Sequence, residues 1–138
     1  MKTLFSVFAS ILAFALYSCS GQAQPGTLLP PNDFKKKIEA SANPIIVDVR
    51  TPEEYSEGHL DASVNIDWDG DNFDQQIQTL DKNASVFVYC YGGGRSSSAA
   101  KEMRKQGFKN VYDLKGGFAA WKEAGLQVYF NHKLPDDK

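Results

Sequence analysis

The chain is poor in the side chains that build metal centres and disulfide scaffolds: its 138 residues include two cysteines, Cys19 and Cys90, and two histidines, His59 and His132. Two cysteines cannot form a disulfide framework, and a four-ligand zinc site would need help from other residue types. No metal and no cofactor is expected. Basic charge is not in excess either, since 15 Lys and Arg stand against 17 Asp and Glu for a formal charge of −2. Without a positive field, neither a phosphate backbone nor an acidic lipid surface is drawn to the chain, so no nucleic-acid partner is expected. No apolar run reaches the roughly 18 residues of a bilayer-spanning helix. There is no internal repeat, and at 138 residues with 42% hydrophobic side chains the chain is long enough for one core and too short for two comfortable ones.

What is present begins with an address. After Lys2, residues 4–17 are apolar apart from Ser6 and Ser10, which is the length of a signal-peptide core. The core ends in Leu16-Tyr17-Ser18-Cys19, which resembles the lipobox of bacterial lipoproteins. That resemblance implies cleavage after residue 18, acylation of the Cys19 sulfur, and attachment to a membrane through the lipid alone, on the periplasmic side of a bacterial envelope. Cleavage after Ala23, giving a soluble periplasmic protein, is the competing reading. Residues 19–26 are too polar and glycine-rich to pack and read as a tether, and residues 131–138 read as a tail. The folded domain is expected over residues 27–130.

Within it, short apolar runs alternate with amphipathic stretches. Residues 27–29 suit an edge strand, and Pro30 or Pro31 opens a helix to about residue 40, because a first helical turn does not need the missing N–H. Ile45-Ile46-Val47-Asp48-Val49 is β-branched and apolar on both faces, as a strand covered by two layers should be. Thr51-Pro52-Glu53-Glu54 starts a helix, with Thr51 as cap and the acids complementing the dipole. Strands are expected at 64–66, 85–89 and 111–114, helices at 72–80, 96–106 and 118–124, and residues 127–130 close the chain. This alternation predicts an α/β domain with a central, mostly parallel sheet flanked by helices on both faces.

Chemistry concentrates at the end of one strand. Cys90 follows the apolar run Val86-Phe87-Val88-Tyr89 and precedes Tyr91-Gly92-Gly93-Gly94-Arg95-Ser96 and a helix. In open α/β sheets ligands bind beyond the carboxyl ends of strands. Consecutive glycines let successive amide N–H groups turn inward as an anion nest, and the helix start behind them favours negative charge, here on the Cys90 sulfur. Tyr91, Gly92, Gly93, Gly94 and Arg95 are the candidate cradle. Four residues separate Cys90 from Arg95, whereas cysteine phosphatases place five there to wrap a tetrahedral oxyanion. The smaller ring suits a persulfide's terminal sulfur. A nucleotide P-loop is excluded, since no Gly-Lys-Ser/Thr is present at the required spacing.

The chain resembles a single-domain rhodanese, a thiosulfate or persulfide sulfurtransferase. Three segments carry the resemblance: Val47-Asp48-Val49-Arg50-Thr51-Pro52-Glu53-Glu54-Tyr55 with Gly58-His59-Leu60, the Cys90 loop, and Leu114-Lys115-Gly116-Gly117 with Trp121. Where the family usually has Pro-Gly-Ala after its Gly-His pair, Asp61-Ala62-Ser63 stands. The resemblance implies a rhodanese-like fold and a catalytic Cys90 that takes sulfur from a small donor, thiosulfate or a persulfide, and passes it to a thiol or cyanide acceptor. The chain is expected to act as a monomer. A persulfide carrier that turns over small donors poorly is the alternative.

Arg95 is assigned with Cys90 to catalysis, either bonding the loop's carbonyls or neutralising an anionic donor. Asp48 and Arg50, at a strand end on the same sheet edge, are assigned to the substrate-binding rim, with a structural ion pair as the plain alternative. His59 is expected to stabilise a turn, and Gly116, Gly117 and Trp121 to pack the last helix on the sheet. Asp67, Asp69 and Asp71 begin like a calcium loop, but Asn72 and Gln78 replace the required glycine and carboxylate.

Overall fold

A computed structural model describes residues 27–130; the leader, Cys19, the tether, and the tail with His132 lie outside the described residues. The strands are β1 (Leu28–Leu29), β2 (Ile45–Asp48), β3 (Val64–Asn65), β4 (Ser85–Tyr89) and β5 (Asn110–Leu114). Between and after them come the helices α1 (Pro31–Glu39), α2 (Pro52–Ser56), α3 (Phe73–Ile77), α4 (Gly94–Lys105) and α5 (Gly117–Glu123). The sheet order is β1-β5-β4-β2-β3, and every pairing in it is parallel. β4 is therefore central, with β2 on one side and β5 on the other.

Strand alternation divides the core in two. Val86 and Val88 of β4, then Cys90, join Val47, Val111 and the apolar side chains of α3 and α4 on one face. Phe87 and Tyr89 point the other way, into a cluster with Phe34 of α1 and Phe118 and Trp121 of α5. Phe34 meets both Phe87 and Trp121 edge to face, at 5.4 and 6.4 Å between ring centres, which clamps α1 and α5 to the sheet. Helices thus cover both faces, as the sequence pattern predicts.

Three boundaries differ from that pattern. α3 has five residues, because Phe73 and Ile77 one turn apart are its only buried side chains and the chain turns away after them. α4 starts at Gly94, earlier than expected, after Gly93 reverses the chain at φ 110°, a conformation open to glycine. Residues 127–130 join no sheet; Tyr129 makes one antiparallel bridge, to His59. That bridge, with the His59 Nδ1 to Tyr55 carbonyl contact at 3.0 Å and the stacked Tyr55 ring, holds the turn after α2.

Candidate active site

Cys90 sits at the carboxyl end of β4, where its position in the strand alternation aims the sulfur under the first turn of α4. The Gly93 N–H donates to Sγ at 3.0 Å, and the thiol donates to the Ser96 hydroxyl at 3.5 Å. The first amides of α4, which follow directly, have no carbonyl one turn back within the helix. Cys90 is 2% exposed, so its sulfur lies at the bottom of the loop and not on its rim. The loop has open space beside two of its glycines: a Cβ built at Gly92 or at Gly94 would meet nothing within 4 Å.

α5 braces the loop from the far side. The Phe118 N–H donates to the Cys90 carbonyl at 2.8 Å and the Ala119 N–H to the Tyr91 carbonyl at 3.0 Å. Both loop carbonyls are thereby turned outward, toward α5. Of the Gly116-Gly117 pair, expected to let α5 approach the sheet, Gly117 does its work against this loop, while a Cβ at Gly116 would meet Ala120 of α5 itself.

The Arg95 guanidinium does not bond the loop's carbonyls. It is gripped by both carboxylate oxygens of Glu54, at 2.8 and 2.9 Å, across 41 residues of sequence. Glu54 also accepts from the Thr51 N–H at 3.0 Å and returns its own N–H to the Thr51 hydroxyl, so one capping box both starts α2 and ties it to the nucleophile loop. Arg95, and then the Thr51 amide, hold the Glu54 carboxyl down at about 2 against the opposing effect of burial, and the Arg95 guanidinium is held above its ordinary value in return. Because the folded value lies below the ordinary 4.5, the pair stabilises the fold above that range and the contribution is lost as pH falls from there toward about 2. Glu54→Gln is expected to cost about 0.5–1 kcal/mol at neutral pH, the small figure reflecting a partly solvated pair, and to flatten the acid limb of stability. Urea unfolding at neutral pH and at about pH 3 reads both effects; equal losses at the two pH values would contradict the assignment.

Asp48 is completely enclosed and Arg50 is 2% exposed. Arg50 Nη2 reaches Asp48 Oδ2 at 2.6 Å, Nε reaches Oδ1 and Oδ2 at 3.0 and 3.1 Å, and Nη2 also donates to the Gly58 carbonyl at 2.7 Å. The guanidinium lies 4.1 Å from the Phe118 ring centre. Burial works against the Arg50 charge, but the hydrogen bonds and charge of Asp48 more than offset it and hold the group above its ordinary value. The expectation that Asp48 contacts substrate is corrected here, because its carboxylate has no open side and serves Arg50. Arg50 itself lines, with Glu54, Glu57, Tyr91, Phe118 and Lys122, a cleft of about 330 Å³ beside the loop. Tyr91 is half exposed, its ring 5.6 Å from Lys122 Nζ.

Glu54, Ser96 and Lys122 were not singled out from the sequence. The Thr51-Pro52-Glu53-Glu54 spacing of a capping box was a readable sign of the first, and adjacency to Arg95 of the second. Nothing in the sequence pairs Lys122 with Tyr91.

The Rhodanese-like domain family matches residues 30–124, and the chain belongs to that family. It is 35% identical over 94 residues to the thiosulfate sulfurtransferase GlpE of Pseudomonas fluorescens, an alignment covering 68% of this chain and 83% of that one. It is 34% identical over 117 residues to the adenylyltransferase and sulfurtransferase UBA4 of Debaryomyces hansenii, covering 75% of this chain and 26% of that protein. Among solved structures, a rhodanese-related protein from Thermoplasma volcanium superposes with a TM-score of 0.66 at 27% identity, over 74% of this chain and 96% of the other. A rhodanese-like domain protein from Staphylococcus aureus gives 0.63 at 27% identity, over 75% and 98%.

Proposed function

We propose that the chain is a sulfurtransferase that moves a sulfane sulfur from thiosulfate or a persulfide to a thiol or cyanide acceptor by way of a persulfide on Cys90. The observation that carries this is the seat of the sulfur, held by the Gly93 amide at 3.0 Å in a four-residue loop with open space beside Gly92 and Gly94. In the first half-reaction the Cys90 thiolate attacks the donor's outer sulfur. The Cys90 sulfur-to-sulfur bond forms, the donor's bond to that sulfur breaks, and sulfite or a thiolate leaves with the electron pair. In the second, the acceptor attacks the outer sulfur and Cys90 leaves as thiolate. Main-chain N–H groups suit both halves, since they donate to negative charge on either sulfur without having to lose a proton.

The depth of Cys90 selects donors with an exposed terminal sulfur on a narrow end, which thiosulfate and persulfides share. Anchoring in the bacterial envelope through an acylated Cys19 belongs to the same reading and rests on residues 16–19; the secreted periplasmic form is its alternative. Monomeric action is likewise part of the proposal.

Intact mass spectrometry after incubation with thiosulfate is expected to show one added sulfur, absent in Cys90→Ser, and cyanide is expected to discharge it as thiocyanate. The same spectrum reads the start of the mature chain and any acyl mass on Cys19. Uptake of sulfur without turnover would support the carrier alternative, and no uptake from several donors would reject both.

A further inference from the structure

We propose that Glu57 and Lys122 recognise the sulfur acceptor: together they select a small thiol that carries an ammonium and a carboxylate on one carbon, as an α-amino acid does. This rests on Cys90 passing its sulfur to a thiol, and it names which thiols.

The cleft of about 330 Å³ beside the loop has four charged residues in its lining, Arg50, Glu54, Glu57 and Lys122. Two are already neutralised, Arg50 by Asp48 at 2.6 Å and Glu54 by Arg95 at 2.8 Å. Glu57 and Lys122 are exposed and make no ion pair among the described residues, neither with each other nor with a third group. One cleft thus holds an unmatched anion and an unmatched cation, set too far apart to meet.

Folded backbone positions both. Glu57 is the C-cap of α2, with its N–H on the Glu53 carbonyl at 3.2 Å, and the next carbonyl, that of Gly58, accepts from Arg50 Nη2 at 2.7 Å. An acid at the carboxyl end of a helix gains nothing from the dipole, so helix stability does not account for Glu57. Lys122 lies in the last turn of α5, its Nζ 5.1 Å from the Phe118 ring centre and 5.6 Å from that of Tyr91. Aromatic faces position an ammonium without cancelling its charge. The two ring-bearing residues also touch the nucleophile's backbone: Tyr91 follows Cys90, and the Phe118 N–H donates to the Cys90 carbonyl at 2.8 Å.

Thiosulfate and cyanide bear only negative charge, so neither can answer Glu57. An α-amino acid answers both residues, its carboxylate accepting from Lys122 and its ammonium donating to Glu57 over about 2.8 Å each, and so bridges two side chains that cannot reach one another. In the transfer the acceptor thiol, having lost its proton to solvent, attacks the outer sulfur of the Cys90 persulfide. The new sulfur-to-sulfur bond forms, the bond to Cys90 Sγ breaks, and Cys90 leaves as thiolate. The product is the persulfide of the amino-acid thiol.

The test is the rate at which Cys90 of the full chain forms a mixed disulfide with cystine, cystamine, 3,3′-dithiodipropionate and bis(2-hydroxyethyl) disulfide, read by mass on the Cys90 peptide. Each reagent leaves on Cys90 an organic end with both charges, the cation, the anion or neither. No sulfur transfer is needed, so this reading fails separately from loss of sulfur uptake. Every rate is divided by that of the neutral reagent on the same variant, which cancels any change in the thiol itself. Lys122→Gln is expected to lower the ratio for dithiodipropionate and for cystine roughly threefold, and Glu57→Gln to do so for cystamine and for cystine, as an exposed ion pair allows. Both changes together are expected to lower the cystine ratio about tenfold, the product of two independent contacts. Cystine has no net charge, so a field acting from a distance would shift the other two reagents and leave cystine alone; that outcome overturns the proposal. Failure of all four reagents to reach Cys90 would overturn it as well.

Discussion

Gly117→Ala is expected to slow sulfur transfer about a hundredfold and to destabilise the domain by about 3 kcal/mol, the sum of a left-handed backbone and steric overlap. Gly117 has φ 62°, and an added Cβ would lie 2.5 Å from the Tyr91 carbonyl oxygen and 2.6 Å from that of Cys90. These are backbone atoms, so relief requires moving the loop and not a flexible side chain. The displaced atoms are the two carbonyls that α5 holds through the Phe118 and Ala119 amides, and the Gly93 amide that meets the sulfur is two residues further along the same loop. A shift of the order of 1 Å at a reacting atom costs about a hundredfold in rate. Denaturant unfolding and thiocyanate formation check the two halves of the prediction. Native behaviour in both would show that α5 does not brace the loop.

Asp48→Asn is expected to cost about 3–5 kcal/mol, the range for stranding one member of a buried ion pair. The side chains of Arg50 and Asp48 are 3% and 0% exposed, so water cannot replace the lost carboxylate. Asn65 bonds the carbonyls of Asp48 and Arg50 at 3.0 and 2.8 Å, so strain at the pair passes to β3 as well. Replacing both partners, as in Asp48→Leu with Arg50→Met, is expected to recover much of the loss, since no unpaired charge then remains. Thermal and urea unfolding of single and double variants decide it; a double variant as unstable as Asp48→Asn would mean that the geometry of the pair, and not its charge, holds the strand end.

The architecture was legible in the sequence because its signals are local and repeated. β-branched runs bounded by turn residues mark β2 and β4, and the caps and stops of α1, α2 and α4 come within a residue or two of where they form. Parallel pairing followed from helices lying between successive strands. The place of Cys90 was legible for the same reason, as a strand end, a glycine loop and a helix start are contiguous. What joins distant segments was not legible. Arg95 and Glu54 are 41 residues apart, and neither spacing nor composition favours Glu54 over Glu53 as the partner until both backbones are in place. The depth of the Cys90 sulfur likewise depends on how α4 settles on β5, which periodicity does not describe.

Each guanidinium at this edge of the sheet is already matched: Arg50 by Asp48 and Arg95 by Glu54. A matched pair behaves from a distance as a dipole, whose potential dies away much faster than that of a lone charge, and dissolved salt shortens its range further. The two guanidinium groups therefore add little long-range steering of anions, which leaves that part to Lys122 in the cleft lining. Discrimination among donors has to arise at touching distance, from fixed main-chain groups that a change of solvent does little to disturb.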